Sequence, residues 1–285
     1  MSFASALAPA KINLTLHVTG KRPDGYHLLD SLVVFGSVSD EITATVAPEL
    51  SLDVSGPFAE GVPRDESNSI LRAAHLFQAR SGVEVGAHIR LIKALPHAAG
   101  IGSGSSDAAA TLALLAELWG VPPLPADDPD VLALGADVPA CRCAPQPVRM
   151  EGIGERLSAV HPLPNCAMVL VNPKVPLPTG DVFQGLARAD NPPMDALPHG
   201  LGFDDFCQWL KAQRNDLQAP AEAITPEVGR ALTQLNRLPA VGAAVMSGSG
   251  ATCVGLVPDI GTARQVARVM QVAEMGWWVA PAEML

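Results

Sequence analysis

Residues 96–110 read P-H-A-A-G-I-G-S-G-S-S-D-A-A-A. Gly100, Gly102 and Gly104 alternate with Ile101 and Ser103, and Ser105, Ser106 and Asp107 lead straight into an alanine-rich run. A backbone without Cβ atoms can come close to a ligand. The unpaired N–H groups of a helix's first turn, at the positive end of its dipole, favour an anion. A strand-like run, a glycine loop and a helix in that order suit phosphate binding. The loop is not a Walker A sequence, because no lysine follows Gly104. It is not a dinucleotide fingerprint either, because the glycine spacing differs and no N-terminal βαβ unit precedes it. A flexible linker is the bland alternative, yet apolar elements bound the loop on both sides. Ser-Ser-Asp would also supply side-chain oxygens to cap the helix.

Four further constellations carry polar groups at telling positions. In A-P-A-K-I-N-L, residues 8–14, the alternation continues to residue 18. Ile12, Leu14, Leu16 and Val18 fall on one face, and Lys11, Asn13, Thr15 and His17 on the other. Period two predicts a strand with one buried side, from which Lys11 and Asn13 project together, either to solvent or into a polar cleft. P-D-G-Y-H, residues 23–27, presents Tyr26 and His27 just past a tight turn; an aromatic there either stacks on a ring or base or is simply a surface residue. In L-G-A-D-V-P, residues 134–139, Pro139 restricts Val138 to an extended conformation. Asp137 is then a turn or cap residue or a site carboxylate, and the residues leave both open. M-S-G-S-G-A-T, residues 246–252, reads as a hairpin turn or as a second backbone cradle.

The elements that must hold these groups can be sketched from periodicity. Strand patterns cover 7–18, 28–36, 41–47 and 50–55. A helix over 68–81 places Ile70, Ala73, Ala74 and Phe77 on one face. A strand follows at 85–92, and the helix after the glycine loop places Leu112, Leu115, Ala116 and Trp119 at helical spacing before Gly120 and Pro122 end it. Residues 121–130 read as a surface connection. Residues 166–172 form a continuous apolar strand, with helical stretches near 179–188, 203–214 and 226–237. Strands at 241–246 and 251–257 flank the S-G-S-G segment. A helix over 260–274 rests on Val266, Val269, Met270 and Ala273, and a short apolar run closes the chain at 277–280. This mixed order predicts an α+β fold in two parts, with a composition change near 150–165 and domains over 1–156 and 157–285.

Bulk properties narrow the partners. The chain has 285 residues, 48% hydrophobic, with a net charge of −10 and no run of basic residues. That argues against a nucleic-acid or membrane-surface role, which needs a basic face, but not against an anionic small ligand. The N-terminal segment has no basic region and is interrupted by Pro9 and Lys11, so it is not expected to be a secretory signal. No apolar run is long enough to span a bilayer. Five scattered cysteines fit reduced thiols in a cytoplasm. Cys141 and Cys143 lack the two further ligands a zinc site needs and read as part of a strand.

Taken together, A-P-A-K-I-N-L, P-H-A-A-G-I-G-S-G-S-S-D-A-A-A and M-S-G-S-G-A-T resemble the three motifs of the GHMP kinase superfamily, in their order. D-G-Y-H, G-A-D-V-P, G-I-G-E at 152–155 and N-D-L at 215–217 narrow the resemblance to the branch that phosphorylates a cytidine diphosphate sugar alcohol in non-mevalonate isoprenoid biosynthesis. The resemblance runs from residue 8 to about 256. It implies a two-domain GHMP kinase fold, an active site in a cleft between the domains, and an unusual left-handed βαβ crossover in the N-terminal one. It implies ATP and Mg²⁺ as cofactors, no nucleic acid or membrane partner, and a monomer or homodimer. Asp137 matches the catalytic aspartate and Lys11 its neighbouring lysine. Pro96, Ala99, Gly100, Ile101, Gly102, Ser103, Gly104, Ser105, Ser106 and Asp107, with Asn68 and Lys93, match positions that bind ATP, with Ser105 or Ser106 available to Mg²⁺. Asn13, Tyr26, His27, Thr179 and Phe183 match positions that hold the cytidine substrate, the aromatics by stacking. Ser103 stands where glycine is common, Gln218 where an acidic residue is common, and Pro178 where serine is usual. The alternatives are a GHMP kinase for another alcohol, of homoserine or mevalonate type, and a nucleotide-binding protein without catalysis.

Overall fold

The computed structural model describes residues 3–285. The chain gathers into two compact units. The first takes the residues up to Ala10, then Ser39–His97 and Gly102–Ala144; the second takes Lys11–Val38, Ala98–Ile101 and Pro145–Leu285.

The N-terminal alternation forms two strands rather than one, β1 (Phe3–Asn13) and β2 (His17–Lys21). The chain bends between them because Leu14 N–H donates to Leu32 O while the Thr15 hydroxyl accepts from Leu32 N–H at 2.9 Å. The expected polar face is buried as well: Lys11, Asn13, Thr15 and His17 are all nearly inaccessible, like Ile12, Leu14 and Leu16. β3 (His27–Ala47) merges the expected strands at 28–36 and 41–47. The S-V-S-D interval between them contains no glycine or proline, and Asp40 is buried within the strand, so the backbone runs on. β4 (Ser51–Ser55), α1 (Ser69–Ser81) and β5 (Gly86–Ile92) follow.

In the first unit, residues 41–47 of β3 pair antiparallel with β5, and β4 pairs parallel with β5. Parallel neighbours need a crossover, and α1 supplies it. Asn68 caps α1 by accepting from Ile70 N–H at 2.8 Å, and Gly82 ends it in the left-handed region. The expected stripe Ile70, Ala73, Ala74 and Phe77 is buried. It packs in one core with Ile42, Ala44, Ile89, Leu91 and the apolar face of α2 (Ser103–Trp119). Trp119 stacks on Phe77 with ring centroids 5.8 Å apart, and Gly120 closes α2.

Two short helices close this unit, α3 (Pro129–Leu134) and α4 (Val138–Cys141). They correct two expectations. Val138 is not extended before Pro139 but opens α4, where a proline in the first turn costs no hydrogen bond and Cys141 N–H reaches Asp137 O. Cys141 is helical, not part of a strand. Arg142 explains why this segment turns inward: its guanidinium donates to Leu124 O at 2.8 Å and to Ala109 O of α2.

In the second unit, β2 and the first half of β3 pair antiparallel, and β3 also pairs with β6 (Val148–Gly152), which pairs with β7 (Arg156–Ala159). A separate antiparallel sheet contains β8 (Ala167–Asn172), buried throughout as its apolar run predicts. Around it lie α5 (Thr179–Gln184), α6 (Phe203–Ala212), α7 (Gln218–Ile224) and α8 (Pro226–Asn236). Sequence reading missed α7, which is short and contains Pro220. The sheet is completed by β9 (Ala243–Met246), β10 (Cys253–Val257) and, after α9 (Ile260–Ala273), β11 (Trp278–Glu283), in the order β11–β8–β10–β9. The buried stripe of α9 is Ala263, Val266, Ala267 and Met270. Val269 and Ala273, expected in the core, are exposed, because the Asp259 cap on Thr262 N–H fixes the helix start and turns that side outward. The five cysteines are free thiols. No helix among the described residues is long and apolar enough to cross a membrane.

Candidate active site

The glycine loop opens α2 as expected, but its cap is different. Gly102, in the left-handed region at φ 57°, occupies the N-cap and makes no side-chain bond. Ser105, Ser106 and Asp107 lie inside the first turns instead. The leading N–H groups of α2 therefore have no capping side chain, which leaves them available to an anion. Ser103 turns its hydroxyl back to Pro96 O at 3.3 Å, and Ser106 donates to Pro9 O at 2.7 Å. Ser105 stays half-exposed.

The apex of the loop, Ala98–Ile101, belongs to the second unit and is gripped there by the S-G-S-G segment. This segment is a hairpin turn between β9 and β10, with Met246 opposite Cys253. It is also a cradle. The Ser247 hydroxyl donates to Gly100 O at 2.8 Å and accepts from Asn13 N–H at 3.1 Å, and Thr252 N–H donates to Ala99 O at 3.1 Å. Lys11 N–H donates to Ile101 O at 3.0 Å. Gly100 has φ 76°, and a Cβ there would lie 2.5 Å from Ser247 O and 2.6 Å from Gly250 O, so only glycine fits. Asn215 of the N-D-L sequence pins the hairpin by donating to Met246 O and Gly248 O, both at 2.8 Å.

In the first unit, Lys93 is buried between two carboxylates. Its ammonium donates to Asp40 at 2.6 Å and to Asp107. Asp107 Oδ1 is buried with no partner. Burial pushes the Asp107 carboxyl up to about 7, with Lys93 pulling the other way and Asp40 adding to the rise. Asn68 is buried, its amide held between Ile70 N–H and Pro63 O. Asp137 sits at the N-cap of α4, half-buried, and its side chain makes no capping bond to that helix.

The second unit gathers the expected substrate groups. The Asn13 amide donates to Ser31 Oγ at 2.7 Å, and Ser31 donates to Thr15 O. That leaves Asn13 Oδ1 buried without a donor, a cost relieved by a ligand that brings an N–H or O–H. His27 and Phe183 stack with centroids 4.9 Å apart and an interplanar angle of 24°. Desolvation, then the charge of Lys21, lowers the His27 pKa, so its neutral ring can donate and accept at once. Tyr26 is 57% exposed, beside a turn with Gly25 at φ 93°, and it makes no ring contact with that pair among the described residues. Thr179 opens α5 and shares a 2.9 Å hydrogen bond with Ser249.

Against known families, residues 68–145 match the GHMP kinases N terminal domain and residues 202–274 the GHMP kinases C terminal domain. The chain is 51% identical over 281 residues to a 4-diphosphocytidyl-2-C-methyl-D-erythritol kinase of Cereibacter sphaeroides, covering 98% of each. It is 50% identical to the protein of that name from Ruegeria pomeroyi, covering 98% of this chain and 99% of that one. The chain belongs to the 4-diphosphocytidyl-2-C-methyl-D-erythritol kinases of the GHMP superfamily. A crystal structure of 4-(cytidine 5'-diphospho)-2C-methyl-D-erythritol kinase superposes with a TM-score of 0.79 at 30% identity, over 98% of this chain and 99% of that one. A crystal structure of L. major mevalonate kinase in complex with R-mevalonate shares the fold at a TM-score of 0.72 and 15% identity, over 98% of this chain and 96% of that one. The fold is thus the two-domain α+β GHMP kinase fold, and the chain is a small-molecule kinase.

Within this kinase, sequence reading missed two groups that hold the expected ones in place, Asp40 and Ser31, and gave Asn215, quoted within N-D-L, no role. The signal for Asp40 was present. It shares a strand face with Ile42 and Ala44 at period two, and a carboxylate on a core-facing position demands a partner.

Proposed function

We propose that this chain transfers the γ-phosphoryl group of ATP to the 2-hydroxyl of 4-diphosphocytidyl-2-C-methyl-D-erythritol. The full-length identity to kinases named for that substrate carries the reading. The geometry supports it: an anion-ready helix start with its loop pinned at the apex, and a neutral histidine stacked on an aromatic near the D-G-Y-H turn.

The residues present fit ATP and Mg²⁺. The N–H groups of Ser103, Gly104 and Ser105 suit phosphate oxygens. Mg²⁺ usually takes one or two protein oxygens, with phosphate and water completing its shell; Ser105 Oγ and the unpartnered Asp107 Oδ1 suit it, and no larger carboxylate cluster is required. Ser106 is less apt, because its hydroxyl is committed to Pro9 O. Bound ATP supplies the transferable phosphoryl group, and Mg²⁺ offsets charge on its oxygens.

A carboxylate is too weak a base to deprotonate an alcohol before attack. In a loose phosphoryl-transfer transition state the proton moves late, so Asp137 orients the hydroxyl and accepts its proton as the new O–P bond forms. Lys11 offsets charge developing on the phosphoryl oxygens. Asn13 accepts from the substrate, and His27, Phe183 and Tyr26 hold its base, with the Thr179 hydroxyl as a further polar contact. A cytoplasmic, monomeric or homodimeric enzyme without nucleic-acid or membrane partners completes the proposal. The test is ADP release by the purified chain with ATP and Mg²⁺, offering the cytidine compound beside homoserine, mevalonate and galactose. Turnover of the cytidine compound alone is expected; turnover of another alcohol alone would keep the superfamily and overturn the substrate.

A further inference from the structure

Asp40 has no assigned role toward substrate or nucleotide, yet it is fully buried and both oxygens of its carboxylate are engaged. Oδ1 accepts from Ala94 N–H at 2.7 Å and from Leu95 N–H at 2.8 Å, the second and third residues after β5 on the way into the glycine loop. Oδ2 accepts from Lys93 Nζ at 2.6 Å. Lys93 Nζ also donates to Asp107, in the first turns of α2 at the loop's far end. The Lys93 backbone is fixed in turn: its N–H donates to Ser55 O at 2.7 Å and its carbonyl accepts from Phe58 N–H at 3.0 Å. Gly56 packs so closely that a Cβ there would lie 2.6 Å from Lys93 O. One carboxylate therefore ties the entrance of the loop directly and its exit through one lysine.

We infer that Asp40 is a positioning residue for the phosphate loop, acting through Lys93, whose ammonium serves as the internal bolt between strand and helix. The inference rests on the phosphate-binding reading of the loop. Its physical basis is that charged hydrogen bonds between buried groups are strong and directional. Losing one end frees two loop amides and leaves Lys93 with a single partner. Both loop ends then sample other positions, and the N–H groups of α2 lose their common aim.

The test is calorimetric titration of the whole chain with ADP, for wild type and Asp40→Asn, together with steady-state KM values for ATP and for the cytidine substrate. Asparagine keeps an acceptor and removes the charge. The expected result is an ADP Kd weakened about tenfold or more, with the KM for ATP rising in step and the KM for the cytidine substrate changing less than about twofold. Unchanged ADP affinity would overturn the inference, as would an equal rise in both KM values, which would mark Asp40 as a general stabiliser. Absence of ADP binding in wild type would instead remove the phosphate reading itself. Should Asp40→Asn not fold, amide exchange in the wild-type chain decides: Ala94 and Leu95 should be protected like β5, and exchange at the rate of an open loop would contradict the clamp.

Discussion

Asp137→Asn keeps the shape of the side chain and removes its capacity to accept a proton. The expected outcome is a kcat lower by about 10²- to 10⁴-fold with ADP affinity unchanged, read by steady-state kinetics beside calorimetry; near-normal turnover would remove Asp137 from its role. His17 gives a second prediction at this scale. Its Nδ1 lies 3.3 Å from Pro192 O, while Nε2 is buried with no partner. Desolvation, then Arg214, lowers its pKa below 6.5. A histidine held neutral in the folded state contributes stability that is present above pH 6.5 and lost as pH falls from there toward the folded value. The thermal midpoint of wild type should therefore drop more steeply below pH 6.5 than that of His17→Gln; parallel curves would show that this ring does not control the drop. At the residue scale, types and spacing made the glycines, Asn13 and His27 visible. What they left open is burial: Lys11 and Asn13 could face solvent or a polar cleft, and only a neighbour distant in sequence, such as Ser247, turns that side into an interior.

Elements were legible where a periodic apolar face met a strong local signal. Asn68 before Ile70 and Gly82 after Ser81 bounded α1, and the stripe between them is the buried one. They were least legible where tertiary contacts decide, as in α4, whose proline was read as a mark of extended chain, and in α9, whose stripe was displaced. The glycine loop shows both sides. Its composition pointed to a backbone cradle, but the hairpin that presses on it lies almost 150 residues away, and no local pattern records that contact. A prediction follows from that pressure. Gly100→Ala places a Cβ against two carbonyl oxygens at a left-handed φ. It should cost about 1–3 kcal/mol of stability and weaken ADP binding together, measured by urea unfolding and calorimetry. Wild-type behaviour in both would show that the loop and the S-G-S-G turn do not meet this closely.

For the molecule as a whole, a net charge of −10 and two polyanionic ligands pose a single electrostatic problem. The proposed site would meet it locally, with the leading N–H groups of α2 and the Lys11 ammonium rather than a basic surface. Composition argued against a basic nucleic-acid-binding face but said nothing of the substrate, which entered through the D-G-Y-H sequence and full-length identity. Two parts were expected from the element order, but their make-up was less visible, since each unit is assembled from three separate stretches of chain. The measurement that bears most directly on the account is ADP formation by the purified chain with Mg²⁺ and ATP, with and without 4-diphosphocytidyl-2-C-methyl-D-erythritol. Turnover should depend on the cytidine compound and fall by about 10²- to 10⁴-fold in Asp137→Asn. ATP binding without such turnover, or equal turnover with homoserine or mevalonate, would contradict it.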